Sequence, residues 1–272
     1  MFIDRVFQLA QKKSNDAFGQ LFIEDVRIGV FLVAVKMSNG FYGTASVIHS
    51  NEVHQVTKKQ RDFGDFTPMH IIEKTVGELF AFPKNTAIVQ MLRIATLNAY
   101  FHQLLHQNAY AFSNQTDPID TLDFQQFPKI VMVGAFNSYI HKIATTNSQL
   151  QVLELNEEAF LPEHQKFFVP ADRYKEVIPQ ADLVIMTGLT LVNNTFDDLL
   201  QSIKPSSTSV LIGPSASIPP ELFFEHHISM IGGTMITKPE ILFPMVSQGA
   251  AGYHLFEYCA EKITIYNPNP MD

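Results

Sequence analysis

The sequence predicts an α/β protein in which a doubly wound parallel sheet follows a smaller α+β domain. From residue 128 onward, short apolar runs alternate with helical stretches, the pattern of a parallel sheet with helices on both faces. Before that point, Asn39-Gly40 separates two β-rich runs, and long apolar helical stretches follow. Strands followed by helices indicate a separate unit with a small antiparallel sheet.

Length and composition exclude several classes of protein. The chain has 272 residues, which at about 100 to 200 residues per domain predicts one large domain or two of ordinary size, and we take two as the starting hypothesis. Its residues are 46% hydrophobic and 17% charged, which indicates a globular chain. The net charge of −8 repels phosphate backbones, so nucleic acid is not an expected partner. A single cysteine, Cys259, excludes an internal disulfide framework. The longest apolar run, residues 28–35, is too short to cross a membrane, so we expect no membrane partner and a cytoplasmic protein.

The first domain is predicted to occupy residues 1–113. It begins with an amphipathic helix whose apolar stripe is Ile3, Val6, Phe7 and Ala10. Residues 30–37 and 41–48 are predicted as two antiparallel strands. The pair Asn39-Gly40 between them favours a type I′ turn, in which both central residues are left-handed.

A polar stretch, residues 50–69, follows the hairpin. A loop of that length is usually functional or disordered, and we interpret it as a candidate lid. Its basic residues either neutralise an anionic ligand or form a solvated face: Lys58, Lys59 and Arg61. Helices are then predicted over residues 70–80 and 86–107.

The second domain is predicted over residues 128–272, after a linker at residues 114–127. The linker is polar, lacks a strong period and contains Asp117-Pro118, a turn signal. The expected strands are residues 129–133, 151–155, 182–187, 209–212, 228–231 and 262–265. The expected helices are residues 137–145, 193–203, 219–225 and 239–247. For the last helix, Thr237 and Glu240 are spaced as a capping box, and Gly249 is placed to end it.

Candidate ligand-binding residues lie at the carboxyl ends of these strands. In an open parallel sheet the ligand crevice lies there, because helix N-termini and their free N–H groups face it. Turn formation is the alternative explanation for any one of these residues taken alone. Together they indicate a site: Gly134, Glu154, Asp172, Thr187, Gly188, Thr190, Asn193, Gly213, Pro214 and Ser215.

Glu154 follows Gly134 by 20 residues, the spacing at which an acidic residue meets a ribose hydroxyl in dinucleotide-binding folds. The glycine fingerprint is incomplete, because GAFNSY holds one glycine where a pyrophosphate site needs three. The pattern therefore disfavours NAD, and it leaves an adenosine-type ligand, a small polar ligand or a solvated glutamate as alternatives.

Three other candidates each have two interpretations. Thr190 either caps the following helix or, with Asn193, holds an anion or a carbonyl group. Asp172 is either a crevice carboxylate or a helix cap. Ser215 lacks the second glycine of the G-x-S-x-G elbow, so a hydroxyl donor is favoured over a nucleophile.

Histidines give weak evidence for a metal site. His102 and His106 share a helical face, but HExxH is absent and no third ligand is visible in the sequence. Ordinary surface or interface histidines are the favoured interpretation.

Three segments carry a resemblance to a known family. They are VPADRYKEVIPQADLVIMTGLTLVNNTFDDLL at residues 169–200, VLIGPSASIPPELFFEHHISMIGGTMI at residues 210–236, and the turn Gln248-Gly249. On these motifs the second half resembles the putative heavy-metal chelation family. The hairpin and the helix IATLNAYF of the first half are similar to the domain that usually precedes it.

The resemblance implies a Rossmann-like domain joined to an enolase-N-terminal-like domain, with the ligand site in the cleft between them. It also implies handling of a divalent metal or a metal chelate. All the candidate residues except Gly134 are carried over by motif to that cleft. Leu189 departs from the small or hydroxyl residue expected there, which removes one hydrogen-bond donor. The matched strand ends contain no Cys or His, so the family's description does not supply soft metal ligands here.

Three functional hypotheses follow. The first is binding of a small polar or anionic metabolite, or a metal chelate, at the interdomain cleft. The second is an enzyme, a transferase or lyase that uses an adenosine-type cofactor such as S-adenosylmethionine, with Asp172 as acid or base. The third is an interaction module in which the helix carrying His102 and His106 forms a homodimer face.

Overall fold

The computed structural model describes residues 1–48 and 66–268, which form a three-stranded sheet and an eight-stranded sheet. The smaller sheet is antiparallel and the larger is mostly parallel, so the predicted fold class is confirmed. The basic residues of the candidate lid, Lys58, Lys59 and Arg61, lie outside the described residues.

The first sheet and its helices occupy the N-terminal part of the chain. The elements are α1 (Phe2–Lys13), α2 (Ala17–Gln20), β1 (Ile23–Ile28), β2 (Leu32–Met37), β3 (Tyr42–Ser46), α3 (Val76–Ala81) and α4 (Ala87–His106). The predicted apolar stripe of α1 is buried, as expected. β1 pairs with β2 and adds a strand that the sequence pattern did not predict.

The β2–β3 turn differs from the predicted type. Gly40 has a φ of +84°, whereas Asn39 is not among the residues with positive φ. The Gly40 N–H donates to Met37 O at 2.8 Å, so the loop has three residues with only its last one left-handed. After two-residue loops, three-residue loops with glycine in the left-handed position are the next most common hairpin type. The pair Asn39-Gly40 is therefore compatible with either loop length.

Helix α4 lies against the small sheet at very short range. A Cβ at Gly43 of β3 would lie 2.1 Å from Ala95 O of α4, so glycine is required by this approach. Nearly all of α4 is buried, which explains its lack of a polar face. Among the described residues, no helix combines the length and the apolar content needed to cross a membrane.

The second part of the chain forms the large sheet. Its strands are β4 (Ser113–Asn114), β5 (Lys129–Val133), β6 (Gln149–Glu154), β7 (Phe168–Pro170), β8 (Leu183–Thr187), β9 (Thr208–Ile212), β10 (Met230–Ile236) and β11 (Ala260–Tyr266). Its helices are α5 (Pro118–Thr121), α6 (Asn137–Ala144), α7 (Tyr174–Val177), α8 (Leu189–Val192), α9 (Phe196–Ser202), α10 (Glu221–Glu225), α11 (Pro239–Ser247) and α12 (Gly252–Tyr258). The stretch expected as a linker holds the end of β4 and all of α5.

The strand order is β4-β11-β10-β9-β8-β5-β6-β7. Strands β5 to β10 run parallel, whereas β11 pairs antiparallel with β10 and β4 antiparallel with β11. The last apolar run was grouped with the parallel strands, and this was wrong for β11. Because β6 lies on one side of β5 and β8 on the other, the chain reverses direction across the sheet at β5 and β8, the switch point where such folds bind ligands.

Three predictions of helix ends were wrong. The helix expected from residue 70 begins at Val76, because Thr75 and Glu78 form a capping box there. The helix expected over residues 193–203 begins later, at Phe196 of α9, and the short helix α8 before it was not predicted. The capping box expected at Thr237 is absent, since α11 starts after Lys238 with Pro239 in its first turn and no side-chain cap. Gly249 has a φ of +80° just after α11, as expected for the residue that ends a helix.

The two parts of the chain share one hydrophobic core, which includes Val33 and Leu92 from the first part and Leu211 and Ile231 from the second. Polar bonds also cross between them. Asn98 of α4 donates from Nδ2 to Pro214 O at 2.8 Å, and Ser46 N of β3 donates to Ser215 Oγ at 2.8 Å. The carboxyl end of β9 is therefore packed against the N-terminal part of the chain.

Candidate functional site

A pocket of about 460 Å³ lies at the switch point, beyond the carboxyl ends of β5, β6 and β8. This volume falls in the range of about 300–1,000 Å³ that is usual for small-molecule sites. Six of the sequence-predicted residues line it: Gly134, Glu154, Asp172, Thr187, Thr190 and Asn193. We call it the switch-point pocket.

Gly134 shapes the floor of the switch-point pocket. Its φ is +97°, a region that side chains other than glycine rarely adopt. A Cβ at this position would lie 3.1 Å from Thr187 Cγ2 on the neighbouring strand. Both facts require glycine where β5 turns away from the sheet.

The carboxylate of Glu154 connects the ends of β5 and β6. Its Oε2 accepts the Ala135 N–H at 3.0 Å, while Oε1 accepts the N–H groups of Leu155 at 2.7 Å and Asn156 at 3.3 Å. These bonds fix the carboxylate beside the turn after β5, where the 20-residue spacing predicted it. They also show that Glu154 has a structural role with or without a ligand.

Thr190 does not have the capping role that the sequence suggested. Thr190 was considered as a cap for the following helix, but it lies inside α8, where its Oγ1 donates to Thr187 O at 2.7 Å. Thr187 Oγ1 instead accepts the Leu189 N–H at 3.2 Å. The N-cap residue of α8 is Gly188, which has no capping side chain, so the strand-end hydroxyl of Thr187 satisfies the first N–H of the helix.

Asn193 and Asp172 retain polar atoms for a ligand. Asn193 accepts from Thr195 through its Oδ1, and among the described residues its Nδ2 has no acceptor. Asp172 is exposed in a short 3₁₀ turn, and its carboxylate accepts no hydrogen bond from a described residue. The capping role considered for Asp172 is therefore not seen, and its carboxylate lies on the pocket wall.

The electrostatics of the switch-point pocket are acidic. Three carboxylates line it, those of Glu154, Asp172 and Asp198, and no Lys, Arg or His is among its described lining residues. Phe136 and Leu155 provide apolar wall, and Leu155 is 80% exposed at the rim. The arrangement combines a negative potential with an apolar surface for a ligand.

Four predicted residues do not line the switch-point pocket: Gly188, Gly213, Pro214 and Ser215. Ser215 is 1% exposed, and its Oγ accepts the Ser46 N–H, so it joins the two parts of the chain. A Cβ at Gly188 would lie 2.5 Å from Ala216 N, which shows that this glycine allows two backbone segments to touch. The end of β9 is not an open cleft, because the two parts of the chain are packed together there. The described residues that line the switch-point pocket all belong to the second half of the chain.

Gly213 and Pro214 line a second pocket, of about 260 Å³. It also contains Asp117, Tyr139 and Lys262, and we call it the Lys262 pocket. Asp117 Oδ2 accepts from the Tyr139 hydroxyl at 2.5 Å and from Lys262 Nζ at 2.8 Å. Burial, followed by the nearby charge of Asp117, raises the pKa of Tyr139, so the phenol stays protonated and donates.

Sequence reasoning missed the Lys262 pocket. Asp117-Pro118 was interpreted only as a turn signal in a linker, and Lys262 only as the start of a strand. The two residues are 145 positions apart, so no local pattern joins them. Their contact depends on the pairing of β4 with β11, and β4 has two residues.

The histidine and cysteine side chains do not form a metal centre in the described part of the chain. No group of three or more His, Cys, Asp or Glu residues there is arranged to hold an ion. His102 is 6% exposed, and burial lowers its pKa to about 4. Burial likewise raises the pKa of Cys259 to about 11, so this thiol is not poised as a thiolate ligand.

The fold is similar to two solved structures of proteins of unknown function. One, from Pyrococcus horikoshii, has a TM-score of 0.77 at 17% identity and covers 98% of this chain and 100% of its own. The other, from Desulfitobacterium hafniense, has a TM-score of 0.72 at 18% identity, with coverage of 96% and 98%. At these identities the similarity establishes the fold alone.

A curated relative is similar over a shorter span. An uncharacterized protein of Methanocaldococcus jannaschii is 38% identical over 89 residues, which is 33% of this chain and 34% of the relative. The match thus spans about a third of the relative's length, and it assigns no activity.

Two family models match the chain, both described as putative heavy-metal chelation. One covers residues 117–265 and the other residues 12–101. The first model alone matches more than half of the chain, and it includes the switch-point pocket and nearly all of the large sheet. The chain therefore belongs to the family described as putative heavy-metal chelation.

Proposed function

We propose that the protein binds a small polar organic molecule in the switch-point pocket. The observation that carries the proposal is the convergence of polar residues from three strand ends on one opening of about 460 Å³. Asn193 Nδ2 and the Asp172 carboxylate offer a donor and an acceptor that no described residue uses. Such a pocket, mostly apolar with a few placed polar groups, has the composition of a metabolite site.

The charge of the lining favours a neutral or cationic ligand. Three carboxylates converge without a basic partner among the described lining residues, and charges of like sign repel in a partly desolvated pocket. An anionic ligand was an equal alternative at the level of sequence. The proposal keeps the polar ligand and gives the anionic one lower priority.

The described residues do not fit a bare heavy-metal ion. Soft metals favour thiolate, thioether and imidazole ligands, and the described lining of the switch-point pocket has no Cys, Met or His. Both oxygens of Glu154 already accept backbone N–H groups. A metal chelate that brings its own ligands is the form of metal compatible with this wall.

Native mass spectrometry of the untagged protein tests the proposal. The wild-type chain is expected to carry a small-molecule adduct, and Ala171→Leu, which places bulk in the pocket wall, is expected to lose it. Ala144→Leu is the matched control, because Ala144 is exposed at the end of α6 and lines none of the described pockets. Metal content measured on the same samples shows whether the adduct is a chelate.

Two results contradict the proposal. One is an adduct that survives Ala171→Leu in full. The other is a wild-type chain that carries no adduct and gains no thermal stability from a panel of polar metabolites.

A second candidate function is an enzyme that uses an adenosine-type cofactor. The specific observation is the position of Glu154 at the end of β6, with its carboxylate beside the turn after β5. In dinucleotide-binding folds an acidic residue at this place meets a ribose. The acidic wall suits adenosine or the cationic S-adenosylmethionine better than a nucleotide phosphate.

Calorimetry distinguishes this candidate. Adenosine and S-adenosylmethionine are expected to bind at least about tenfold more tightly than AMP, since one repulsive contact worth about 1.4 kcal/mol changes affinity tenfold. An adenosine-type cofactor is contradicted if AMP binds equally or more tightly, or if none of the three ligands gives heat. The binding of some other small polar molecule is then still tested by the mass spectrometry above.

A further inference from the structure

We propose that the Lys262 pocket is a second binding site, which takes a small aromatic carboxylate. The proposal concerns a cavity that the proposed function does not use, and it stands whether or not the switch-point pocket binds its ligand. Phe136 is the residue that the described linings of both pockets share. A ligand in each pocket would therefore contact the same residue, Phe136.

The walls of the Lys262 pocket are aromatic. Four rings line it, those of Phe136, Tyr139, Tyr253 and Phe256. Phe136 and Tyr139 stack with ring centroids 5.3 Å apart, so this wall is already ordered. The volume of about 260 Å³ lies just below the range of about 300–1,000 Å³ for drug-sized ligands, which suits a molecule of one ring. Planar apolar ligands pack against such walls by offset or edge-to-face contact.

Glycine and proline backbone leaves open space on another side of the pocket. A Cβ built at Gly252 meets Pro214 Cγ at 3.6 Å, an ordinary contact, and one at Gly213 has its nearest neighbour at 4.0 Å. Larger side chains at these positions would project beside the rings. The space available to a ligand therefore depends on glycine at the start of α12.

The charged groups of the pocket select the sign of the ligand. Asp117 is 6% exposed, and both of its oxygens already accept: Oδ1 from Ile119 N at 3.1 Å, and Oδ2 from Tyr139 and Lys262. The side chain of Lys262 is 45% exposed, and an ammonium has three donors, of which Asp117 uses one.

Lys262 is thus the charged group left for a ligand. Its Nζ lies 5.5 Å from the centroid of the Phe256 ring. A ligand whose carboxylate binds this ammonium therefore places the rest of its atoms beside the aromatic wall. Asp117, which also accepts from Tyr139, holds the ammonium in place. A charge-assisted bond to an oriented cation is among the stronger polar contacts. A single ring that bears one carboxylate satisfies both features.

A tryptophan reporter tests the site, because the chain contains no tryptophan. Tyr253→Trp replaces a ring that is 68% exposed at the rim, and its emission is titrated with sodium benzoate and with benzyl alcohol. Benzoate is expected to saturate the signal and to bind at least about tenfold more tightly than the alcohol, given the usual strength of charged hydrogen bonds. Saturation-transfer NMR on the unmodified chain must give the same order.

Variants locate the binding. In the reporter background, Lys262→Met is expected to weaken benzoate binding about tenfold, and Lys262→Arg is expected to restore most of it. Gly252→Leu should abolish binding of both probes by filling the cavity. Lys166→Met is the matched control, because Lys166 is exposed and lines none of the described pockets, so benzoate affinity should not change. Circular dichroism confirms that each variant is folded.

Three results would overturn the proposal: no saturable benzoate signal by either method, equal affinity for benzyl alcohol, or unchanged benzoate binding in Gly252→Leu. A Leu155→Trp reporter at the rim of the switch-point pocket separates the two sites. Benzoate is expected to leave the emission of Leu155→Trp unchanged. If benzoate gives a saturable change in Leu155→Trp and none in Tyr253→Trp, the assignment to the Lys262 pocket is also overturned.

Discussion

The carboxyl ends of β8 and β9 are neighbours in one sheet, but the first lines a pocket and the second is packed against the N-terminal part of the chain. At β8, Thr187 faces an open pocket that also receives Gly134 and Glu154. At β9, Pro214 and Ser215 bind the N-terminal part of the chain through Asn98 and Ser46. Glycine and hydroxyl residues occur at both ends, so residue type alone does not separate a ligand site from a structural joint. What separates them is which strand end the other part of the chain covers.

The largest expected effect concerns the contact between the segments that follow β8 and β9. Gly188→Ala adds a Cβ at 2.5 Å from Ala216 N, and backbone on both sides has little freedom to move, so we expect a loss of about 3 kcal/mol in unfolding free energy. Urea denaturation measures it. Gly252→Ala is the matched control, since its Cβ has only an ordinary contact at 3.6 Å and stability should change by less than about 0.5 kcal/mol. Equal losses in the two variants would show that the close approach at β9 has no energetic weight.

The next effect tests how completely His102 of α4 is shielded from water. His102 lies one helical turn after Asn98 on α4, and burial lowers its pKa to about 4 from an ordinary 6.5. The unfolded chain takes up a proton near pH 6.5 while the native ring stays neutral. The stability due to the neutral ring is therefore complete above pH 6.5 and is lost as the pH falls toward 4, by about 3 kcal/mol in total.

Denaturation at a series of pH values measures this loss. His102→Leu should flatten the profile between pH 6.5 and 4 relative to the wild type. His141→Leu, at an exposed histidine of α6, should retain the wild-type slope. A His102→Leu profile parallel to the wild type would contradict the prediction, because it would mean that His102 takes up its proton equally in the native and the unfolded chain.

A smaller effect distinguishes the roles of the two strand ends. Ser215→Ala removes the acceptor for the Ser46 N–H, and we expect a cost of about 1 kcal/mol in thermal or urea unfolding. The same variant should keep the small-molecule adduct of the switch-point pocket in native mass spectrometry. Loss of the adduct without loss of stability would give Ser215 the ligand role that its burial argues against.

The smallest effect on stability is expected at the open end. Asp172→Asn changes an exposed carboxylate that has no described hydrogen-bond donor, so unfolding free energy should change by less than about 0.5 kcal/mol. Calorimetry should nevertheless show AMP gaining affinity relative to adenosine, because one of the three pocket carboxylates is neutralised. Glu163→Gln, at an exposed site outside the pocket, should leave that ratio unchanged.

Much of the architecture is encoded in local patterns. The runs that became β5 and α11 were predicted with the bounds the structure shows, because β5 is apolar on both faces and α11 is followed by Gly249. The two-residue β4 and the three-residue β7 were missed, since strands that short have no period. Strand-end chemistry also selected six of the residues that line the switch-point pocket.

The rest of the site depends on contacts that sequence patterns do not contain. Ser215 and Thr187 have similar surroundings in sequence, and only the docking of α4 and β3 on the end of β9 buries one of them. Lys262 lies in β11, and Asp117 follows β4 closely in the chain. The two side chains meet because β11 pairs with β4. Both facts require tertiary structure.

A crystallographic fragment screen tests the difference between the ends of β8 and β9 most directly, because it requires no knowledge of the natural ligand. Crystals of the protein are soaked with mixtures of small polar fragments, and the density is examined at every strand end. We expect fragments between Gly134, Glu154 and Thr187, and none between Ser215 and Ser46. Fragments that occupy other surfaces while the switch-point pocket stays empty would contradict this expectation.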